Sequence, residues 1–222
     1  VEDGTAFRLK DVDPGDTAGV DPEQDEATEL LAESVDDPGK QQERLFAEGK
    51  WAVLRILQAM DAGGKDSAID RVMTGINPQG CDLKSFTEPG PVDPTHDVLW
   101  RHVIGLPQRG RIVIHNRSQC EDVPVLRFHP EIPDPQNLPD GLKGDDIRER
   151  RFRDIRAFER HRAQSGTVVP RLVLHGSNDE QARHVLDRID EADKNRKSSF
   201  GDPEKRDLWD DDMAAHGDAI RH

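Results

Sequence analysis

The 222-residue chain is 33% hydrophobic and 34% charged, with a formal net charge of −14 at pH 7 and only two cysteines. It is long enough to bury one core with a small lid added. No apolar run approaches the roughly 18 residues that cross a membrane, so no membrane partner is expected. Cys81 and Cys120 lack the number and spacing of a disulfide framework or a zinc site. With no secretory signal at its start, the chain is expected in the cytoplasm.

In chain order, residues 1–40 form an acidic N-terminal arm and helix, with 13 acidic and 3 basic side chains. Residues 41–222 form the main domain and are nearly balanced, with 28 basic and 32 acidic side chains. Arginines cluster from Arg148 to Arg162, where a positive channel can be assembled locally. There is no basic domain with interleaved aromatics, so nucleic acid is not an expected partner. Asp-Pro and Gly punctuation makes residues 1–21 an irregular arm. Helices are predicted over 22–35 and 41–48, with Asp37-Pro-Gly as the break between them. Apolar runs then predict strands at 51–58, 81–86, 111–115 and 170–175. Helical patterns fall at 65–75, 96–105, 147–164, 178–190 and 203–220. This alternation is that of an α/β domain. Ser177-Asn-Asp-Glu is a capping box opening the helix after the fourth strand. None of the nine histidines has a metal-ligand spacing. His115, beside the second motif described below, is the one to watch.

The segment Leu57-Gln-Ala-Met-Asp-Ala-Gly-Gly-Lys-Asp lies between the first predicted strand and a helix. Strand, glycine loop with lysine, then helix is the context of a phosphate-binding loop. The backbone N–H groups of Gly63, Gly64 and the helix start would cradle an anion, and Lys65 would add a point charge. The pattern is imperfect: Ala59 replaces the first glycine, and Asp66 stands where Ser or Thr would hold magnesium. A second carboxylate, Asp61, sits within the loop. Two carboxylates beside a phosphate require a cation between them, which argues for Mg2+ on Asp61, with Asp66 behind it or capping the helix. Taken alone, the pattern leaves an ordinary Gly-Gly turn with a surface lysine equally open.

A second motif, Arg111-Ile-Val-Ile-His-Asn-Arg-Ser, is a short strand delivering Asn116 and Arg117 to its carboxyl end, the ligand-binding edge of open parallel sheets. By itself Arg117 reads as a surface ion pair and Glu121 as a solvated helix glutamate. Arg101 reads equally as a side chain snorkelling over Trp100. Arg153 and its neighbours read as partners of Glu149, Asp154 and Glu159 at helical spacing. Lys194 and Lys197 read as solvated loop charges.

From about Phe7 to its last residue the chain resembles the polyphosphate kinase 2 family of polyphosphate:nucleotide phosphotransferases. The resemblance rests on several motifs in one order: the phosphate loop, Val72-Met-Thr-Gly-Ile-Asn-Pro-Gln-Gly-Cys, His96-Asp-Val-Leu-Trp-Arg, Leu106-Pro-Gln-Arg-Gly-Arg-Ile, Asn116-Arg-Ser, Asp193-Lys-Asn-Arg-Lys and Trp209-Asp-Asp-Asp-Met-Ala-Ala. It implies a P-loop-kinase-like three-layer α/β/α fold, with a mostly parallel central sheet and a helical lid at about 140–200. It implies transfer of the terminal phosphoryl of inorganic polyphosphate to ADP or AMP with Mg2+. Asp61, Lys65 and Arg117 would be catalytic. Gly63, Gly64, Asp66, Asn116, Glu121 and Arg101 would bind phosphate or nucleotide, and Arg153, Lys194 and Lys197 would grip polyphosphate from the lid. Asp61 would hold Mg2+, with Asn116, often Asp in relatives, as a further ligand. Relatives commonly form homo-oligomers.

The chain departs from the family at several places. Family tyrosines fall at Gln119, Cys120, Asp212 and His216, and the usual lid aromatics are Arg196 and Ser198. Pro124 lies where a helix is expected, at a cost of roughly 3 kcal/mol. Relatives continue past His222 into another strand and helix, so a fragment or diverged member is expected. The alternatives are a relative that binds nucleotide or polyphosphate without turnover, and an ATP-dependent nucleotide kinase on the same architecture.

Overall fold

The computed structural model describes residues 7–17, 19, 38–60, 63–86, 90, 92–117, 137–144, 146–190 and 209–221. The helix predicted at 22–35 lies outside them. Helix α1 spans residues 38–48. Pro38, read as part of a break, instead opens this helix, where its fixed φ and missing N–H are tolerated. Strand β1 (Ala52–Ala59) leads into helix α2 (Lys65–Met73). Strand β2 (Cys81–Ser85), the short helix α3 (Trp100–Val103) and strand β3 (Ile112–Asn116) follow. Helix α4 (Ile147–Gln164), strands β4 (Thr167–Val168) and β5 (Arg171–Leu174), and helices α5 (Asn178–Asp190) and α6 (Trp209–Arg221) complete the chain.

All strand pairings are parallel. β1 pairs with β3 on one side and with both β4 and β5 on the other, and β3 pairs in turn with β2. β4 and β5 are one strand position interrupted at Val169-Pro170, because proline cannot donate to the ladder. The register sets Asn116 beside Leu57, Ser85 beside Asn116, and Leu174 beside Ala59, so the carboxyl ends share one edge.

Alternation along β1 sends side chains to both faces, and both are covered, as a parallel sheet requires. On one face Leu57, Cys81 and Ile114 pack with Ile69 of α2. On the other, Leu54, Ile56 and Val113 pack with Leu106 and Val169. Phe152 and Ile155 of α4 close over Leu99. The result is the P-loop-kinase-like α/β fold.

The helix expected at 96–105 is reduced to one turn. A 3-10 turn at Asp93–Thr95 precedes it, and the Asp97 carboxylate takes the backbone N–H of Leu99 at 2.8 Å, diverting the backbone from a regular helix. The helix expected at 65–75 stops at Met73, ahead of Gly75 with φ 84°. The C-terminal helix is described from Trp209 rather than 203, and residues 203–208 lie outside the described set. The span expected as a lid, 140–200, contains β4 and β5, which are sheet strands bonded to β1. No helix among the described residues is long and apolar enough to cross a membrane.

Candidate active site

The loop after β1 begins with a turn in which Gly63 N–H donates to the Met60 carbonyl at 3.0 Å. A side chain at Gly63 would place its Cβ 2.8 Å from that carbonyl oxygen, so only glycine fits. Gly64 follows in the left-handed conformation, φ 79°, and starts α2. Its carbonyl accepts the Ala68 N–H at 3.0 Å. Lys65 is the first helical residue. Its ammonium folds back onto the loop, donating to the carbonyls of Ala59 (2.5 Å) and Met60 (3.4 Å). Asp61 lies outside the described residues.

The strand β3 delivers Asn116 to the same edge. Asn116 Nδ2 donates to Asp66 Oδ1 at 3.1 Å, joining the second motif to the first turn of α2. Asn116 Oδ1 is buried with no hydrogen-bond partner among the described residues. Arg117 comes next, with φ 84°, the only non-glycine residue at positive φ among those described. Its N–H donates to the Leu57 carbonyl at 3.1 Å, holding that conformation in place. Such strain costs of the order of 1–3 kcal/mol and persists where surrounding structure enforces it. The Arg117 side chain is exposed at the sheet edge.

Arg101 does not lie over Trp100, which stacks instead on His96 with ring centres 4.0 Å apart. Its guanidinium sits 5.2 Å above the ring of Phe86, whose N–H donates to the Asn116 carbonyl. Arg101 is thus one residue removed from the β3 edge. Behind it lie two buried imidazoles, His102 and His115. His115 bonds the Gly105 carbonyl at 3.1 Å, and burial pushes its pKa down to about 4, with the charges of His102 and Lys84 adding to the effect.

Arg153 lies on the exposed face of α4. The pairing expected for its helix is only partly found. Glu159 also reaches Arg171 of β5, with two contacts at 2.6 and 3.0 Å. Glu121, Lys194 and Lys197 lie outside the described residues, as do Gln119, Cys120 and Pro124.

The sequence reading did not single out the opposite wall. Met60 and Gly63 share a cleft with Ser177 of the β5–α5 turn, with Glu180 and His184 of α5, and with Trp209. Ser177 Oγ accepts the Glu180 N–H at 3.1 Å, the hydroxyl half of the capping box. The Glu180 carboxylate turns instead to Arg183, which holds it below its ordinary pKa, and to His184. Gln58, buried in β1, meets His216 of α6. In the sequence this wall was signalled by the Ser177 capping box and by the motif that opens at Trp209.

For a divalent cation the donor set fits in part. Asn116 Oδ1 is an unused buried carbonyl oxygen beside the Asp66 carboxylate, and hard cations take such oxygen ligands. No group of three or more His, Cys, Asp or Glu suited to a metal occurs among the described residues.

A glycine loop between the central strand and a helix, with the ends of β1 and β3 beside it, is the arrangement of an α/β domain of the P-loop type. The model of the polyphosphate kinase 2 (PPK2) family matches residues 22–222. The chain belongs to the polyphosphate kinase 2 family. It is 45% identical over 189 residues to an ADP-polyphosphate phosphotransferase of Rhodopseudomonas palustris, covering 85% of this chain and 65% of that protein. It is 40% identical over 215 residues to an AMP/ADP-polyphosphate phosphotransferase of Meiothermus ruber, covering 97% of this chain and 76% of that one. The crystal structure of polyphosphate kinase 2 from Arthrobacter aurescens TC1 superposes with a TM-score of 0.85 at 35% identity, covering 97% of this chain and 74% of that one. The chain thus spans about two thirds to three quarters of the length of these relatives.

Proposed function

We propose that this chain transfers the terminal phosphoryl group of inorganic polyphosphate to ADP or AMP. The observation that carries the reading is the convergence of Lys65, Asp66 and Asn116 at one sheet edge, beside a glycine loop built to accept an anion. A phosphate oxygen of the nucleotide attacks the terminal phosphorus. A new P–O–P bond forms, the old one breaks, and polyphosphate leaves one unit shorter. Catalysis of this kind is positioning and electrostatics rather than covalent chemistry.

Gly63 and Gly64 bring backbone N–H groups to the phosphate. Lys65 leaves the carbonyls of Ala59 and Met60 to meet an equatorial phosphate oxygen, and Arg117 meets another from the β3 side. Arg101 and Glu121 serve the nucleotide. Arg153, Lys194 and Lys197 grip the polyanion from segments flanking β4 and β5, which exclude water when closed. Asp61 with Asn116 would hold Mg2+, with Asp66 orienting the Asn116 amide; bound there, the ion neutralises charge between the two phosphate groups.

The test is product formation from ADP, and separately AMP, with polyphosphate or ATP as the only donor. Transfer from polyphosphate supports the reading. Transfer from ATP alone assigns the chain to the nucleotide kinases that share this architecture.

A further inference from the structure

Gln58 is the penultimate residue of β1 and is 3% exposed, on the sheet face opposite Leu57 and α2. A buried carboxamide at that position is costly unless it is bonded. Its Nε2 donates to Nδ1 of His216, at 3.1 Å, across 158 residues of sequence. The acceptor role of Nδ1 puts the imidazole proton on Nε2. The helix that carries His216 packs against the N-terminal turn of the chain. The adjacent Gly217 is buried, and a Cβ there would lie 3.9 Å from the Cβ of Leu9, a buried residue of the N-terminal 3-10 turn Leu9–Asp11. Burial and, next, the charge of Lys65 push the His216 pKa down to about 4, which keeps the imidazole neutral around pH 7. The two carbonyls that hold Lys65 belong to Ala59 and Met60, the residues directly after Gln58.

We propose that His216 is a positioning residue for the phosphate loop, acting through Gln58 on the backbone that carries the Lys65 site. This rests on the phosphoryl-transfer reading of that loop. Fixing the Gln58 side chain fixes the exit of β1, and with it the direction in which the Ala59 and Met60 carbonyls point. Losing the acceptor at position 216 lets Gln58 re-seat and moves the lysine's resting place.

The experiment compares His216→Phe, which keeps a ring and removes the acceptor, with His216→Asn, whose carbonyl can replace Nδ1. It reads kcat and nucleotide KM, thermal midpoint, and affinity for tripolyphosphate by calorimetry. The expected result is a roughly tenfold fall in kcat for His216→Phe with nucleotide KM little changed, recovered to within about threefold by His216→Asn. Tripolyphosphate affinity should follow the same order. Adding Gln58→Leu to His216→Phe should cost little more, because both changes break one path. Equal losses in the Phe and Asn variants, or unchanged kcat and tripolyphosphate affinity in His216→Phe, would overturn the inference. If the unmodified chain turns over no polyphosphate, the functional reading fails, and tripolyphosphate affinity alone decides the role of His216.

Discussion

Replacing Asn116 by Asp probes the junction on which the site depends. In the unmodified chain Asn116 Nδ2 donates to Asp66 Oδ1 at 3.1 Å. The variant sets two carboxylates at that distance in a part-buried position. Two like charges 3.1 Å apart repel by about 5 kcal/mol at an effective dielectric of about 20. Taking up a proton limits the penalty, since protonating an ordinary Asp at pH 7 costs about 4 kcal/mol. The lost hydrogen bond adds to this, while solvent at the site reduces it. The net destabilisation is expected at about 2–4 kcal/mol at pH 7, a fall of roughly 5–15 °C in the midpoint for a chain of this size. The sign with pH follows from linkage. A carboxylate whose folded pKa is raised binds its proton more tightly in the native state, so the deficit is small below about pH 4 and grows as pH rises. Magnesium, which would sit between the carboxylates, should restore the variant by more than it stabilises the parent. Thermal unfolding by circular dichroism at both pH values, with and without Mg2+, checks this. A variant as stable as the parent at pH 7, with no larger response to Mg2+, would refute the placement of Asn116 against Asp66.

Further outcomes follow from the same geometry. Gly63→Ala should reduce turnover by about 100-fold or more, since the new Cβ meets the Met60 carbonyl at 2.8 Å, whereas Gly64→Ala makes only an ordinary contact with the His184 ring at 3.9 Å and should show mainly a stability loss of about 1–2 kcal/mol from its φ of 79°. Steady-state rates and urea midpoints of the two variants separate these effects. Stability should fall as pH drops below about 6.5 toward 4, because His115 and His216, each with its pKa near 4, must take up protons on unfolding; urea midpoints that stay flat across that window in the parent, or fall equally in His115→Phe, would contradict it. Glu159→Ala should cost about 1–2 kcal/mol by removing two contacts to Arg171, while Asp140→Ala, whose exposed carboxylate pairs with Lys143, should stay within about 0.5 kcal/mol. Chemical denaturation of the pair of variants distinguishes the two.

The framework of the domain was legible because its signals are local. The apolar run from Ala52 to Ala59, the glycines before Lys65 and the Ser177 cap each specify their own structure within a few residues. The features that escaped depend on contacts between distant segments. The strand at Thr167–Val168 exists only because β1 offers a ladder beside Pro170, and α3 is cut short by the Asp97 side chain. Glu159 pairs with Arg171 because the fold brings β5 under α4. At the site, the glycine loop and Asn116-Arg117 stood out by pattern, but the left-handed backbone of Arg117 has no sequence signal, since arginine does not favour it. The Gln58–His216 bond spans most of the chain and could not be read from either residue alone.

The central claim is tested most directly by the initial rate of ATP formation from ADP and long-chain polyphosphate with Mg2+, measured beside a Lys65→Ala variant shown to be folded. ATP that forms with the parent and is lost with Lys65→Ala is the expected result. Equal rates in the two proteins, or no ATP from a folded parent, would contradict the assignment of the loop as the site of phosphoryl transfer.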